Sequence, residues 1–183
     1  MTDSISERDR LLSAIADHIL AHGVSGLTLR GLSRAVGSNN RMLLYYFGSK
    51  ERLVADAILA ALSRFPTLAG ALAGLRAPGR PLADRLHQVW LDISAPPNLP
   101  FLRLFFELFG LAAHRPERYR PFLDSVGHDW VAEVREVLVL EGAEPAGAQR
   151  LATEVVALWR GLQFALLSGA DRRGRAGPDG RAP

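Results

Sequence analysis

Apolar residues recur along this chain at intervals of three and four almost throughout, and that spacing predicts helices. Leu11, Leu12, Ile15, Ile19 and Leu20 share one face of a helix over residues 6–22. Ser6 is placed to cap it, Glu7 and Asp9 sit in the first turn where the dipole favours anions, and Gly23 ends it. Two short helices follow. Leu29, Leu32 and Val36 form the inward side of the first, over 29–36, with Thr28 as its cap and Gly37 as its break. Ser38 and Asn39 supply turn and cap for the second, over 40–47, which Gly48 stops. Ser49 caps a longer amphipathic helix over 50–64, with Leu53, Ala57, Ile58, Ala61 and Leu62 on its apolar face and Pro66 closing it.

Residues 67–80 are small and turn-rich, and they mark the best boundary in the chain, with room for a short helix over 67–75. Helices are then expected over 82–93, 97–113, 116–140 and 145–168, each bounded by Pro or Gly. No stretch alternates with period two, so no sheet is expected, and no internal repeat is visible. The last fifteen residues, 169–183, are rich in Gly, Pro and Arg and are expected to be disordered. The expected organisation is a helix-turn-helix domain over 1–48, a connecting helix over 49–66, a helical body over 67–168, and the tail.

Composition narrows the chemistry. Of 183 residues, 48% are hydrophobic and 22% charged, which is ordinary for a globular chain. There are 0 cysteines, which excludes disulfides, thiolate metal sites and a cysteine nucleophile. No apolar run reaches the roughly 18 residues a membrane helix needs. The densest, over 101–113, is interrupted by Arg103 and Glu107, so no membrane partner is expected. The first eight residues are too polar for a signal peptide.

The net charge of +3 matters less than where it lies. Between Asp17 and Glu51 there is no acidic residue, while Arg30, Arg34, Arg41 and Lys50 fall inside that window. Residues 65–168 hold ten basic and eleven acidic side chains. A basic patch on a neutral body is an expected footprint for nucleic-acid binding. Two short helices around a glycine turn, placed in that window, are what a helix-turn-helix requires. On the second of them Leu43 and Phe47 face inward, and Asn40, Arg41, Leu44 and Tyr45 share the outward side. Arg grips guanine bidentately, Asn does so for adenine, and Tyr hydroxyls reach phosphate.

The segment 26–53, from Gly26-Leu27-Thr28-Leu29-Arg30 through Val36-Gly37-Ser38-Asn39-Asn40-Arg41 and Tyr45-Tyr46-Phe47 to Gly48-Ser49-Lys50-Glu51, resembles the DNA-binding region of the TetR family of bacterial transcriptional regulators. The likeness covers about 50 residues and joins several spaced features. It implies an all-α homodimer in which three N-terminal helices bind double-stranded operator DNA and a helical body binds a small, largely apolar ligand and dimerises. It also implies a cytoplasmic protein, associated with the nucleoid when bound to DNA. By this resemblance Thr28, Tyr45 and Lys50 bind phosphate, and Asn39, Asn40 and Arg41 face base edges, with Arg30, Ser38, Leu44 and Tyr46 completing the DNA-binding set. Leu44 stands where the family usually has a phosphate-contacting tyrosine, which moves that contact to Tyr45 or Tyr46. Asn39-Asn40-Arg41-Met42 replaces a more usual Lys-Gly-Thr type. The role expected is a repressor on a pseudo-palindromic site. An activator of the same fold, or an interaction protein with a vestigial helix-turn-helix, are the alternatives.

Beyond that region the residues are read physically. Phe101, Phe105, Phe106, Phe109 and Trp90, with His87 and Trp130, are candidates to line a ligand cavity, against the alternative that they are plain core. Arg103 and Glu107 are spaced as a helix-surface ion pair. None of the five histidines has metal-site spacing, so no metal and no cofactor is expected. Asp124, Ser125, His128 and Asp129 contain triad letters on one helix, whereas triad members converge from separate elements, so no enzyme is expected. The last two helices are apolar on more than one side. Val134, Leu151, Val155, Leu158, Trp159 and Leu162 are the candidate dimerisation residues.

Overall fold

The computed structural model describes residues 6–77 and 79–169. Those residues form nine α-helices and three short 3-10 turns, and no strand is found among them. The helices are α1 (Glu7–His22), α2 (Leu29–Ala35), α3 (Asn40–Phe47), α4 (Lys50–Leu62), α5 (Pro66–Ala69), α6 (Leu82–Ser94), α7 (Leu99–His114), α8 (Arg120–Leu140) and α9 (Pro145–Ser168). The all-α reading and every long helix of the sequence analysis are therefore present. The expected disorder falls on 170–183, outside the described residues, and Gly169 itself caps α9 with φ 72°.

The expected caps are in place. Ser6, Thr28, Asn39 and Ser49 each accept a backbone N–H in the first turn of α1, α2, α3 and α4. Each satisfies a donor that the helix leaves without an internal partner. Three boundaries differ from expectation for reasons of backbone hydrogen bonding. α4 stops at Leu62 because the N–H groups of Ser63, Arg64 and Phe65 bond three residues back, tightening the chain before Pro66. α7 begins at Leu99, after Pro96–Asn98 has turned as a 3-10 helix in which Asn98 Nδ2 donates to the Asp92 carbonyl at 2.7 Å. α8 begins at Arg120, after a 3-10 turn over Pro116–Tyr119. Among the described residues of the 67–80 stretch there are the short α5 and a 3-10 turn over Ala73–Arg76.

The chain divides into two compact units, and the division cuts across the boundaries expected from sequence. The first comprises residues 1–69 together with 100–127. Its core joins Leu11, Ile15 and Ile19 of α1 to Leu53, Ala57 and Ile58 of α4, all at most 1% exposed. Removing each of these leucine and isoleucine side chains from water is worth about 1.5–3 kcal/mol. Arg8 and Arg64 frame this packing: Arg8 pairs with Asp56 at 3.2 Å, and Arg64 with Asp17 at 2.6 Å. Phe101 and Phe105 of α7 are buried here, Phe101 against Phe65 and Phe105 against Phe122.

The second unit comprises the described residues of 70–99 and 128–169. Arg85 of α6 is its cross-brace. Its guanidinium is buried, donates to the Leu75 carbonyl and pairs with Glu141 at the end of α8. Arg76 bridges Glu133 at 2.8 Å and Glu136 at 2.6 Å. Trp130 meets Trp159 edge-on at 6.1 Å, and the Arg160 guanidinium lies 5.3 Å from the Trp130 ring. Burial lowers the Arg160 pKa to about 10, so it stays charged at neutral pH.

Candidate nucleic-acid interface

The interface is built on α2, the turn after it, and α3. Leu32 and Val36 of α2 and Leu43 and Phe47 of α3 are buried, which fixes how both helices roll. Gly37 makes the turn at φ 66°, a conformation in which an L side chain is strained, and Ser38 N–H donates to the Ser33 carbonyl at 2.8 Å. With Leu43 and Phe47 inward, Asn40, Arg41, Leu44 and Tyr45 are left exposed as one row. Tyr45 is 78% exposed and Leu44 43%. Large rings and aliphatic groups held in water this way are available to a partner.

Each residue singled out from sequence has a definite place. Arg30 and Arg41 are exposed, and their guanidinium groups have no hydrogen-bond partner among the described residues. Thr28 is exposed; its hydroxyl oxygen accepts from Gly31 N–H at 3.0 Å, leaving its proton to donate outward. Ser38 and Tyr46 are half-buried, and Tyr46 packs edge-on to Tyr45 at 5.2 Å. The two asparagines differ from expectation. Asn39 Oδ1 accepts from Met42 N–H at 2.9 Å, and Asn40 Oδ1 lies 2.9 Å from the Ser33 hydroxyl. A bidentate grip on adenine needs both the amide oxygen and the amide nitrogen. With both oxygens engaged inside the protein, each asparagine presents chiefly its N–H donors. Lys50 is half-buried, and its ammonium donates to the Leu27 carbonyl at 2.9 Å.

Two partners escaped the sequence reading. Ser33 is 5% exposed on the inward side of α2, between Leu32 and Val36. A lone hydroxyl at a core position was the available signal, because a buried polar group needs a partner. Glu107 of α7 had no local signal. It is not paired with Arg103; its carboxylate accepts from Ser25 N–H across 82 residues of sequence. Burial raises its pKa, but the hydrogen bonds from Ser25 and Val24 win and hold the carboxyl below the usual range. A Cβ on Gly23 would stand 2.6 Å from the Glu107 carboxylate, and Gly23 has φ 75°, so this position requires glycine.

Of the candidate ligand residues, Phe101, Phe105, Phe106 and Phe109 belong to the first unit, and His87, Trp90 and Trp130 to the second. Phe101 and Phe105 are covered by protein, Trp90, Phe106 and Trp130 are half-buried, and His87 and Phe109 are exposed. Of the candidate dimerisation residues, Val134 and Trp159 are buried in the single chain, at 1% and 4% exposed. Leu151 and Leu158 are exposed, and Val155 and Leu162 are half-buried. No group of three His, Cys, Asp or Glu side chains is arranged to hold a metal among the described residues, and no helix there is long and apolar enough to cross a membrane.

No protein-family model matches this sequence, and neither does any curated protein. Solved structures do. A protein from Rhodococcus sp. assigned to the TetR-family transcriptional regulators superposes with a TM-score of 0.67 at 23% identity, over 91% of this chain and 93% of that one. The chain has the fold of TetR-family regulators. The multidrug binding protein EbrR, solved with imidazole, shares this fold at a TM-score of 0.66 and 23% identity, over 91% of this chain and 87% of its own. A protein from Streptomyces avermitilis assigned to the same regulators does so at 0.66 and 24%, over 94% and 92%.

Proposed function

We propose that this protein is a sequence-specific DNA-binding transcriptional regulator that acts as a homodimer and represses by occupying a pseudo-palindromic operator. The observation that carries this reading is the row Asn40, Arg41, Leu44 and Tyr45 on α3. It stands free of the core in a window that holds no acidic residue. Such a helix suits the major groove, about 12 Å wide. Arg41 is the base reader. Thr28, Arg30, Tyr45 and Lys50 are positioned for phosphates, with Ser38, Asn39 and Tyr46 shaping the ends of the row.

A two-fold dimer fits the reading by geometry. Two α3 helices related by a two-fold would enter major grooves about one helical turn apart. On α9 Leu151 and Leu158 remain exposed at 43% and 61%, and half-buried Val155 and Leu162 share their side of the helix, an apolar face that a second copy of α9 would cover. Ligand response is part of the proposal: EbrR, with the same fold, is a multidrug binding protein. Half-buried Trp90 and Trp130 of the second unit are the aromatic groups proposed to meet a largely apolar ligand.

The deciding experiment is selection from a random DNA library with the purified full-length chain, followed by titration on the selected site. A pseudo-palindromic site bound far more tightly than scrambled DNA, with affinity falling steeply as salt rises, is the expected result. Equal affinity for both sequences overturns the reading.

A further inference from the structure

A cleft of about 440 Å³ opens within the first unit, away from the aromatic candidates named above. One part of its wall is apolar and consists of Val24, Leu27, Val54 and Leu111. The other part is cationic or hydrogen-bonding: Lys50, His114, Arg115 and Tyr119. No carboxylate lines it. The nearby Glu51 carboxylate is engaged by Arg118 at 3.5 Å. Its volume lies within the roughly 300–1,000 Å³ of small-molecule sites, and the pairing of an apolar wall with a few converging polar groups is their usual composition.

The electrostatics of this cleft are unbalanced. Lys50 is half-buried, yet its ammonium meets a neutral carbonyl, that of Leu27, rather than an anion. Arg115 adds a second positive group, which has no hydrogen-bonding side-chain partner among the described residues. A partly desolvated cation gains most from an opposite charge placed beside it. The cleft therefore lacks one negative charge and has an apolar wall for what carries it.

We propose that this cleft binds a small organic carboxylate, its charge held by Lys50 and Arg115 and its apolar body resting on Val24, Leu27, Val54 and Leu111. The consequence for DNA rests on the reading of Lys50 as a phosphate-binding residue. An ammonium held by a carboxylate inside the cleft is withdrawn from phosphate, so the acid lowers DNA affinity. By linkage, DNA lowers affinity for the acid by the same factor. The Lys50–Leu27 bond lies next to Thr28, the cap of α2, so exchange of the Lys50 partner also acts on the helix-turn-helix.

The test titrates the full-length protein by calorimetry with benzoate and with octanoate, each against its neutral amide. The expected result is that at least one acid binds at millimolar concentration or below, and that its amide binds about tenfold more weakly or not at all. Lys50→Met and the exposed Arg115→Gln should each weaken acid binding by about tenfold. Arg115→Gln keeps the test open if Lys50→Met fails to fold. Neither acid binding, amide binding equal to acid, or acid affinity unchanged in both variants overturns the site. A separate titration of DNA without acid reads the DNA function alone. Acid binding that leaves DNA affinity unchanged overturns the coupling and leaves the site standing.

Discussion

The hydroxyl of Ser33, buried on α2, lies 2.9 Å from the amide oxygen of Asn40 on α3, and 3.1 Å from the carbonyl of Arg30. One hydroxyl proton serves two acceptors, so the bracing helix and the reading helix are linked through a single polar contact in an otherwise apolar seam. Ser33→Ala should cost about 1 kcal/mol of stability and free the Asn40 amide to rotate. Sequence preference at the base pair facing Asn40 should then relax. Binding measured on all four bases at that position checks this, and an unchanged preference would show that Asn40 does not read DNA.

Arg41 and Lys50 should separate into different kinds of contact. Arg41→Ala should lose about 1–3 kcal/mol of discrimination at one base pair and little affinity for scrambled DNA. Lys50→Ala should weaken binding to all sequences and reduce the salt slope by about one. Anisotropy titrations over a salt series, on the selected site and on a scrambled one, distinguish the two.

Glu107 predicts a pH dependence. Its folded pKa is depressed, so its contribution to stability is complete above the ordinary glutamate value and is lost as pH falls through the lower folded value. Thermal melts of the parent should therefore lose stability on acidification over that interval. Glu107→Gln should show a shallower loss, since its amide does not titrate. Parallel melting curves for the two proteins would contradict the assignment of the loop contact.

Arg85→Met should destabilise the second unit. It would leave the Leu75 carbonyl without its donor and sever the link to Glu141. The expected loss is about 1–3 kcal/mol, kept moderate because Glu141 is half exposed. Chemical denaturation followed by tryptophan fluorescence reads this directly, because Trp130 and Trp159 both lie in this unit.

Leu158→Asp should turn a dimer into a monomer with little change in monomer stability, since the side chain is 61% exposed in the single chain. Light scattering at micromolar concentration gives the answer. Trp159→Ala should instead unfold the unit, because that ring is core.

The period of apolar residues was enough to place the helices, because caps and breakers are local chemistry: Ser6, Thr28, Asn39 and Ser49 all do what their positions announce. The exposed row on α3 was legible for the same reason, since burying Leu43 and Phe47 dictates what faces out. What pattern does not carry is the pairing of a side chain with a distant partner. Glu107 is four residues from Arg103, yet its carboxylate serves a loop 82 residues away, where free N–H groups offer more than an exposed guanidinium does. The engagement of the Asn40 oxygen by Ser33 was unreadable too, because the residue type fixes what an amide can bond to but not what it already bonds. On α8 and α9 two-sided apolarity was visible, but which side closes inward was not: Val134 and Trp159 are buried in the single chain, whereas Leu151 and Leu158 are exposed.

The contact between Ser25 and Glu107 also bears on how this protein is made. A ribosome adds about 5–20 residues per second, so the 82 residues between the two partners take roughly 4 to 16 s to synthesise. For the later part of that interval, once α4 is complete, the nascent α1–α4 segment carries its proposed DNA-facing residues without the α7 carboxylate that steadies the loop before α2. The newborn chain therefore passes through a stage in which the reading head has been translated but is not yet fastened, and a transcript cut short before codon 107 would yield a head that never is.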